Sequence, residues 1–544
     1  MKFFRKENFI LLIIFLIALF LRLYKLGELP YSLHGDEIMN GYVGRFILEN
    51  GYDLYGNRWP LIYFDRFGDY PNVIPMYISG LSTYIFGVNE FAVRFPVAIM
   101  GALTIFPVYY LALKIFDKKE VSQFAAFLLA ILPWHLVLSR ATAEGILALG
   151  CFCFALLWLV KSIEEGNKKL FCLASLAFLL TYFLYPAFRL LTPLSLMLIA
   201  LLLVVNKKKR HISVVFLAVF FLIFTLAVSQ TVWFQGRFRQ TSLLHSEEVS
   251  ARLKANLEAL SYDLGPNSIL RARIFHNKLV AYGREFLSQY LSYFSPEFLF
   301  MKGGLPDRYV VPYQGLFFIS LFIFLIAGLI PVAIKINSYL FNYFLYLCLI
   351  APLPAALTID DVPNSHRAIM LILPLIMIFS YGYLKYNRQF KKFRATFLVL
   401  VLILLEFIYF WNQYSLHTAS YKSVLRNDGC KQLARYLKEN KDSFDNIFMP
   451  SLGTLPIYYL FYTNNFDPSY AGRFALDFKI DNIEKINFIE NWCPSAVIKD
   501  DQFKKDVLIV DQGDCEIKTG LKEIEVIYRK DSTKAFRLLV PGSI

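Results

Sequence analysis

Apolar runs long enough to cross a membrane, on the order of 20 residues each, dominate the chain. The first, about Phe9 to Leu26, follows Lys2, Arg5 and Lys6 and has no small-residue cleavage signature after it. Further runs recur near residues 92–115, 122–139, 143–162, 168–185, 188–205, 212–231, 314–334, 338–358, 367–384 and 394–411. They predict about eleven transmembrane helices. Two long polar stretches, residues 27–91 and 234–313, separate some of these runs, and a polar tail follows Ser415. In the tail, Lys431 to Lys441 reads as a helix. Short apolar runs follow at Asn446 to Met449 and Val507 to Val510, with alternation near Ile524 to Tyr528. The expected architecture is therefore a polytopic α-helical membrane domain, residues 1–411, and a small external C-terminal α/β domain, residues 415–544.

Charge orients these helices. Lys118 and Lys119, then Lys161, Lys168 and Lys169, then Lys207 to Arg210, then Lys335, then Lys385, Arg388, Lys391, Lys392 and Arg394 all fall in alternate loops, on the side of the N-terminal cluster. The positive-inside rule makes that side cytoplasmic. Loops 27–91 and 234–313 and the tail are then extracytoplasmic. The same parity decides Pro71 to Gly87, a moderately apolar stretch broken by Pro75, Gly80 and Ser82. Counted as a crossing it would put the lysine clusters outside, so it is expected to be a juxtamembrane or re-entrant helix.

Composition agrees, with 57% hydrophobic and 18% charged residues. The net charge of +14 is largely explained by the inside loops, which removes the motive for nucleic acid binding. No N-x-S/T sequon occurs in the external regions, which favours a prokaryotic source and the plasma (inner) membrane. The seven cysteines show no metal-binding spacing. Cys151 and Cys153 read as packing residues, and Cys430, Cys493 and Cys515 allow one disulfide if the tail is exported, with the pairing left open.

Candidate chemistry gathers at the external helix ends. Leu33-His34-Gly35-Asp36-Glu37 places two adjacent carboxylates where the chain leaves the first helix. Ionisable groups at such a boundary tend to line functional cavities, although the cost of burying them at the interface is small. A solvated pair capping a helix that starts at Ile38 accounts for the same residues structurally. A second acidic site shifts the balance. In Ser139-Arg140-Ala141-Thr142-Ala143-Glu144, Glu144 opens the next helix at membrane level. It is either a helix-dipole partner or a second carboxylate on the Asp36 cavity, suited to position an acceptor or, with Asp36, to hold a divalent metal ion. A third element, Asp360-Asp361-Val362-Pro363-Asn364-Ser365-His366-Arg367, leads into an apolar helix. A guanidinium there can grip a phosphate in a fork or snorkel to ordinary membrane lipids. Arg94 carries the same two readings.

Taken in order, the Asp36-Glu37 pair, the Phe86-Gly87-Val88-Asn89-Glu90-Phe91-Ala92-Val93-Arg94-Phe95-Pro96 run, the Ser-Arg-Ala-Thr-Ala-Glu run and the His366-Arg367-Ala368 motif resemble the GT-C superfamily. More narrowly they are similar to bacterial protein O-mannosyltransferases and aminoarabinose transferases (glycosyltransferase family 39-like), over roughly residues 1–411. The resemblance implies a sugar donor linked to polyprenyl phosphate (dolichyl-phosphate-like), a protein, lipid or glycan acceptor, and inversion at the anomeric carbon. It makes Asp36 the general base with Glu37 in support, Glu144 acceptor-positioning or metal-binding, and Arg367, with His366 and Arg94, the contact to the donor phosphate. Where aminoarabinose transferases carry a Lys before Pro-Pro, this chain has Gly68-Asp69-Tyr70-Pro71-Asn72, and Arg66 is the candidate substitute. The competing reading is a transporter or flippase of lipid-linked saccharides. It calls for ionisable residues in mid-span and for helical repeats, whereas here the acidic residues sit at helix ends and no repeat is visible.

Overall fold

The computed structural model describes residues 6–65, 70–207, 211–330, 337–389, 393–451, 453–475, 478–498 and 506–542. Among the described residues, each of the eleven long apolar runs is helical along most of its length. Among the described residues, seven helices have both the length and the apolarity to span a bilayer: Glu90–Phe116, Glu144–Glu165, Phe188–Val205, His211–Ser229, Tyr339–Ala356, Ile369–Asn387 and Phe397–His417. An eighth span is formed if Lys119–Ile131 and Pro133–Arg140 count as one, bent by 48°. Pro133 at the break lacks the N–H that would continue the helical ladder. Phe9–Leu23 and Ile319–Leu329 are shorter apolar helices, so the strict count falls below the expected eleven. The chain is an integral membrane protein.

The chain divides into two compact units. One comprises Met1–Ala18, Gly101–Leu138 and Gly145–Phe410 and holds most of the apolar helices. Two ionisable groups on its helices are satisfied locally. Glu406 accepts from Ser320 N–H (3.1 Å) and Oγ (2.9 Å), capping the start of the 319–329 segment, and Lys385 donates to the Ala327 carbonyl (3.0 Å). Small residues let helices touch, as expected where no water drives association. A Cβ on Gly382 would stand 1.9 Å from the Phe324 carbonyl oxygen.

The second unit gathers Leu19–Met100, Ser139–Glu144 and Trp411–Ile544. Its helix Gly35–Asn50 ends at Gly51, whose φ of +74° suits a residue without Cβ, and its N–H returns to the Ile47 carbonyl. Helix Ile74–Phe86, with Pro75 in its first turn, lies against it. At 13 residues, Ile74–Phe86 spans about 20 Å, short of the hydrocarbon thickness of about 30 Å; this agrees with its expected non-crossing role.

The tail folds as a six-stranded sheet, β1 (Asn446–Pro450), β2 (Asn482–Ile483), β3 (Ile486–Ile489), β4 (Val507–Gln512), β5 (Leu521–Tyr528) and β6 (Lys534–Pro541), in the order β2-β3-β1-β4-β6-β5. β1 pairs in parallel with β3 and β4, and the outer pairs are antiparallel. Ile447, Met449, Leu508, Val510 and Leu538 share one core with Leu433 and Leu437 of helix Cys430–Asn440, Ile457 and Phe461 of helix Leu455–Thr463, and Met39, Tyr42 and Phe46 of the 35–50 helix. Of the three tail cysteines, Cys493 and Cys515 form the disulfide and Cys430 is buried and free.

Gly44 and Gly80 set the spacing of the 35–50 and 74–86 helices. A Cβ on Gly44 would lie 1.9 Å from the Met76 carbonyl oxygen, and one on Gly80 2.3 Å from the Gly44 carbonyl carbon. Gly44→Ala is expected to lower stability by about 2–3 kcal/mol, read by thermal unfolding in detergent. An unchanged melting temperature would show that the two backbones do not need this approach.

Candidate functional site

The turn Leu33–Glu37 is built around a buried carboxylate. His34 caps the 35–50 helix, its Nδ1 accepting from Asp36 N–H (3.2 Å), while Glu37 Oε2 accepts from His34 N–H (3.1 Å). This is a reciprocal capping box with an imidazole in the place usually taken by a hydroxyl. Glu37 Oε1 also accepts from Arg94 Nε (2.8 Å) and Thr142 N–H (3.2 Å), and Oε2 from Arg94 Nη2 (3.2 Å); Arg426 Nη1 stands 3.6 Å from Oε2. Burial by itself pushes this carboxyl up, but Arg94, His34 and Arg426 outweigh it and hold Glu37 well below the usual carboxylate range.

Arg94, an expected donor-phosphate contact, is fully buried here. Besides Glu37 it donates to the carbonyls of Leu26 (3.1 Å), Pro30 (2.8 Å) and Ser32 (2.5 Å). Arg140 acts alike on the same stretch of chain, donating to Leu21 O (2.5 Å), Tyr24 O (2.8 Å), Leu29 O (3.0 Å) and Tyr414 Oη (3.2 Å). Two guanidiniums thus satisfy the carbonyls at the end of the first helix and of the segment leading to Asp36.

Asp36 is the open carboxylate. Its side chain is 43% exposed, against 2% for His34 and 0% for Glu37. Its helix position repeats one turn on at Asn40, whose Nδ2 donates to Glu144 Oε1 (2.9 Å). Glu144 is therefore tied to the helix that carries Asp36, through a residue that sequence reasoning passed over. The i, i+4 spacing from Asp36 to Asn40 was the available signal. Also missed were Arg426, Asn427, Thr454 and Tyr458 from the tail. Tyr458 Oη donates to the Leu33 carbonyl (2.5 Å) and accepts from Asn427 Nδ2 (2.9 Å). Burial, with Glu37 and Asp36 nearby, raises the Tyr458 phenol well above its ordinary value and keeps it protonated.

A divalent ion takes about six oxygen ligands, and Asp36 and Glu144 supply two carboxylates, one already bound to the Asn40 amide. Among the described residues no group of three or more His, Cys, Asp or Glu side chains gathers to hold a metal.

In the other unit, Arg367 Nη1 donates to Thr358 Oγ1 (2.8 Å) and to the Asp360 carbonyl (2.7 Å), and its side chain keeps 15% exposure. His366 is buried; its Nε2 accepts from Gly145 N–H (3.0 Å), and its ring stacks on Tyr185 at 4.4 Å and meets Tyr309 edge-on. A small open cleft, lined by Trp134, Lys302, Gly304, Tyr309, Gln314 and Ser365 among others, adjoins this motif. Arg66 lies outside the described residues.

The Glu37 arrangement fixes a pH response. Because its folded pKa is depressed, its contribution is complete above the ordinary carboxylate range and is lost as pH falls toward the folded value. Glu37→Gln, which leaves Arg94 buried without its counter-charge, is expected to cost about 3–5 kcal/mol at neutral pH. It should also flatten the loss of stability below about pH 4.3. Thermal melts of both proteins between pH 7 and pH 3 check this, and parallel acid limbs would count against the ion pair.

Residues 69–233 match the family described as dolichyl-phosphate-mannose-protein mannosyltransferase. No curated protein sequence matches the chain. Among solved structures, the archaeal oligosaccharyltransferase AglB from Archaeoglobus fulgidus is similar at 15% identity and a TM-score of 0.48, over 87% of this chain and 65% of its own. This chain thus spans just under two thirds of that protein. ArnT from Cupriavidus metallidurans is similar at 13% identity and a TM-score of 0.42, over 98% and 97% of the two chains. The arabinofuranosyltransferase AftD from Mycobacteria is similar at 11% and 0.39, over 99% and 40%. The family match bears out the resemblance first read from short motifs, to GT-C glycosyltransferases of the protein-mannosyltransferase type.

Proposed function

We propose that the chain is a glycosyltransferase that moves a sugar from a polyprenyl-phosphate donor to an acceptor hydroxyl on the extracytoplasmic face, with Asp36 as general base. The observation that carries this reading is the unequal fate of two neighbouring carboxylates. Glu37 is sealed in an ion pair, and Asp36 stays 43% exposed beside it on a fixed helix start. The matched family's description supports a lipid-phosphate sugar as donor.

The step is a single displacement. The acceptor oxygen bonds to the anomeric carbon as the bond from that carbon to the phosphate oxygen breaks, and its electron pair leaves on the lipid phosphate. The hydroxyl proton passes to Asp36 and then to water. One displacement inverts the anomeric centre. Glu144, held by Asn40, orients the acceptor. We assign Arg367, with the neighbouring His366 motif, to the leaving phosphate, where fixed positive charge stabilises the departing group. We assign Arg94 to holding Glu37, since the ion pair and three carbonyls occupy its donors. The external placement is supported by the lysine-rich alternate loops and by the Cys493–Cys515 disulfide, which favours an oxidising compartment.

Purified protein in lipid, given dolichyl-phosphate mannose and other polyprenyl-phosphate sugars with a panel of hydroxyl acceptors, should consume donor in an acceptor-dependent way. Asp36→Asn is expected to fold as the parent does and to lose about 10²- to 10⁴-fold in turnover. Full turnover by that variant removes Asp36 as the base.

A further inference from the structure

We propose that the C-terminal domain completes the acceptor site, with Asn427 and Thr454 as residues that touch and select the acceptor beside Asp36. This rests on the function proposed above and names which part of the chain reads the acceptor.

Gly35, the residue before Asp36, presents bare backbone to the tail. A Cβ built there would stand 3.4 Å from Thr454 Oγ1, 3.8 Å from Thr454 Cγ2 and 4.0 Å from Asn427 Nδ2. A hydroxyl and an amide therefore converge one residue from the open carboxylate. Both side chains are half-buried, at the lip of the turn and not within its core. Neither is used up by its own element. Thr454 precedes helix Leu455–Thr463 but makes no side-chain cap bond to it, although capping is the ordinary use of threonine at that position. Asn427 gives one amide hydrogen to Tyr458 Oη, which fixes its plane and leaves the amide oxygen available as an acceptor.

Each of the two stands next to an anchor on the Asp36 turn. Asn427 follows Arg426, whose Nη1 lies 3.6 Å from Glu37 Oε2. Thr454 is one helical turn before Tyr458, whose hydroxyl holds the Leu33 carbonyl at 2.5 Å. Asn427 itself takes the left-handed conformation, φ +52°, which asparagine tolerates better than most residues. The tail is thus pinned on both sides of Gly35, and the groups between the pins are neutral hydrogen-bonding ones. Such a pair suits a neutral, hydroxyl-rich acceptor such as a glycan, with a second hydroxyl held while the reacting one meets Asp36.

The test uses the full chain in lipid with dolichyl-phosphate mannose as donor and octyl β-glucoside, maltose and a serine-containing peptide as acceptors. Asn427→Ala and Thr454→Val are each expected to raise the KM for glucoside and maltose about tenfold, with a smaller change in kcat, and to shift the preference between sugar and peptide. Thr454→Ser should restore the parental KM. Gly35→Ala, which fills the same space from the other side, should raise it too, so that misfolding of one tail variant does not decide the matter. If the parent turns over, Asp36→Asn does not, and the Asn427, Thr454 and Gly35 variants keep parental KM and preference, this inference is overturned while the proposed function stands. If the parent glycosylates no acceptor, both are overturned.

Discussion

Glu37 is the constraint on which the site depends. A carboxylate with no solvent exposure is tolerable only when its lone pairs and its charge are met, since leaving it unpaired would cost several kcal/mol. Here the partners come from different parts of the chain: His34 from its own turn, Arg94 from the 90–116 helix, Thr142 from the segment before Glu144, and Arg426 from the tail. Satisfying one buried charge therefore brings the ends of these segments to one place. The orientation of the 35–50 helix, and with it the position of Asp36, is a consequence.

Arg94 and Arg140 do for the backbone what Glu37 does for the segments. The chain between the first helix and the 35–50 helix makes few regular backbone hydrogen bonds, so its carbonyls need other donors. Arg94 takes those of Leu26, Pro30 and Ser32, and Arg140 takes those of Leu21, Tyr24 and Leu29, with its face against Trp411 and Tyr414. A guanidinium can serve several carbonyls from a fixed plane, which a lysine cannot. The Val-Arg-Phe-Pro and Ser-Arg-Ala motifs are thereby explained without substrate contact.

What could be read in the sequence follows from the range of each interaction. Helices were legible because apolar runs are local, and each expected run became a helix; length alone separates the seven strict spans from the shorter ones. Asp36, Glu37 and Glu144 stood out by type and by position at helix ends. Their different roles did not, because burial of Glu37 depends on Arg94 and Arg426, and no local pattern pairs residues so far apart. Asn40 was within reach, one turn from Asp36 on the same face. The tail's sheet was legible only as a class, since β2 and β3 are too short to show alternation and the order β2-β3-β1-β4-β6-β5 is set by pairing across long connections. The Cys493–Cys515 pairing was equally a matter of tertiary proximity.

Two adjacent carboxylates at one helix start divide their labour because of geometry and electrostatics. Neighbouring positions on a helix differ by about 100°, so when one side chain turns into the protein the next is free to face outward. The inward one meets arginines that hold it ionised, and a carboxylate so strongly stabilised as an anion is a poor proton acceptor. In the proposed mechanism, proton transfer is left to the outward one. Asp36 gains from its neighbour in a second way: Arg94 and Arg426 more than offset the negative charge of Glu37 beside it. In the proposed mechanism, a hydroxyl approaching Asp36 meets that carboxylate, Glu144 held by Asn40, and the neutral side chains around Gly35.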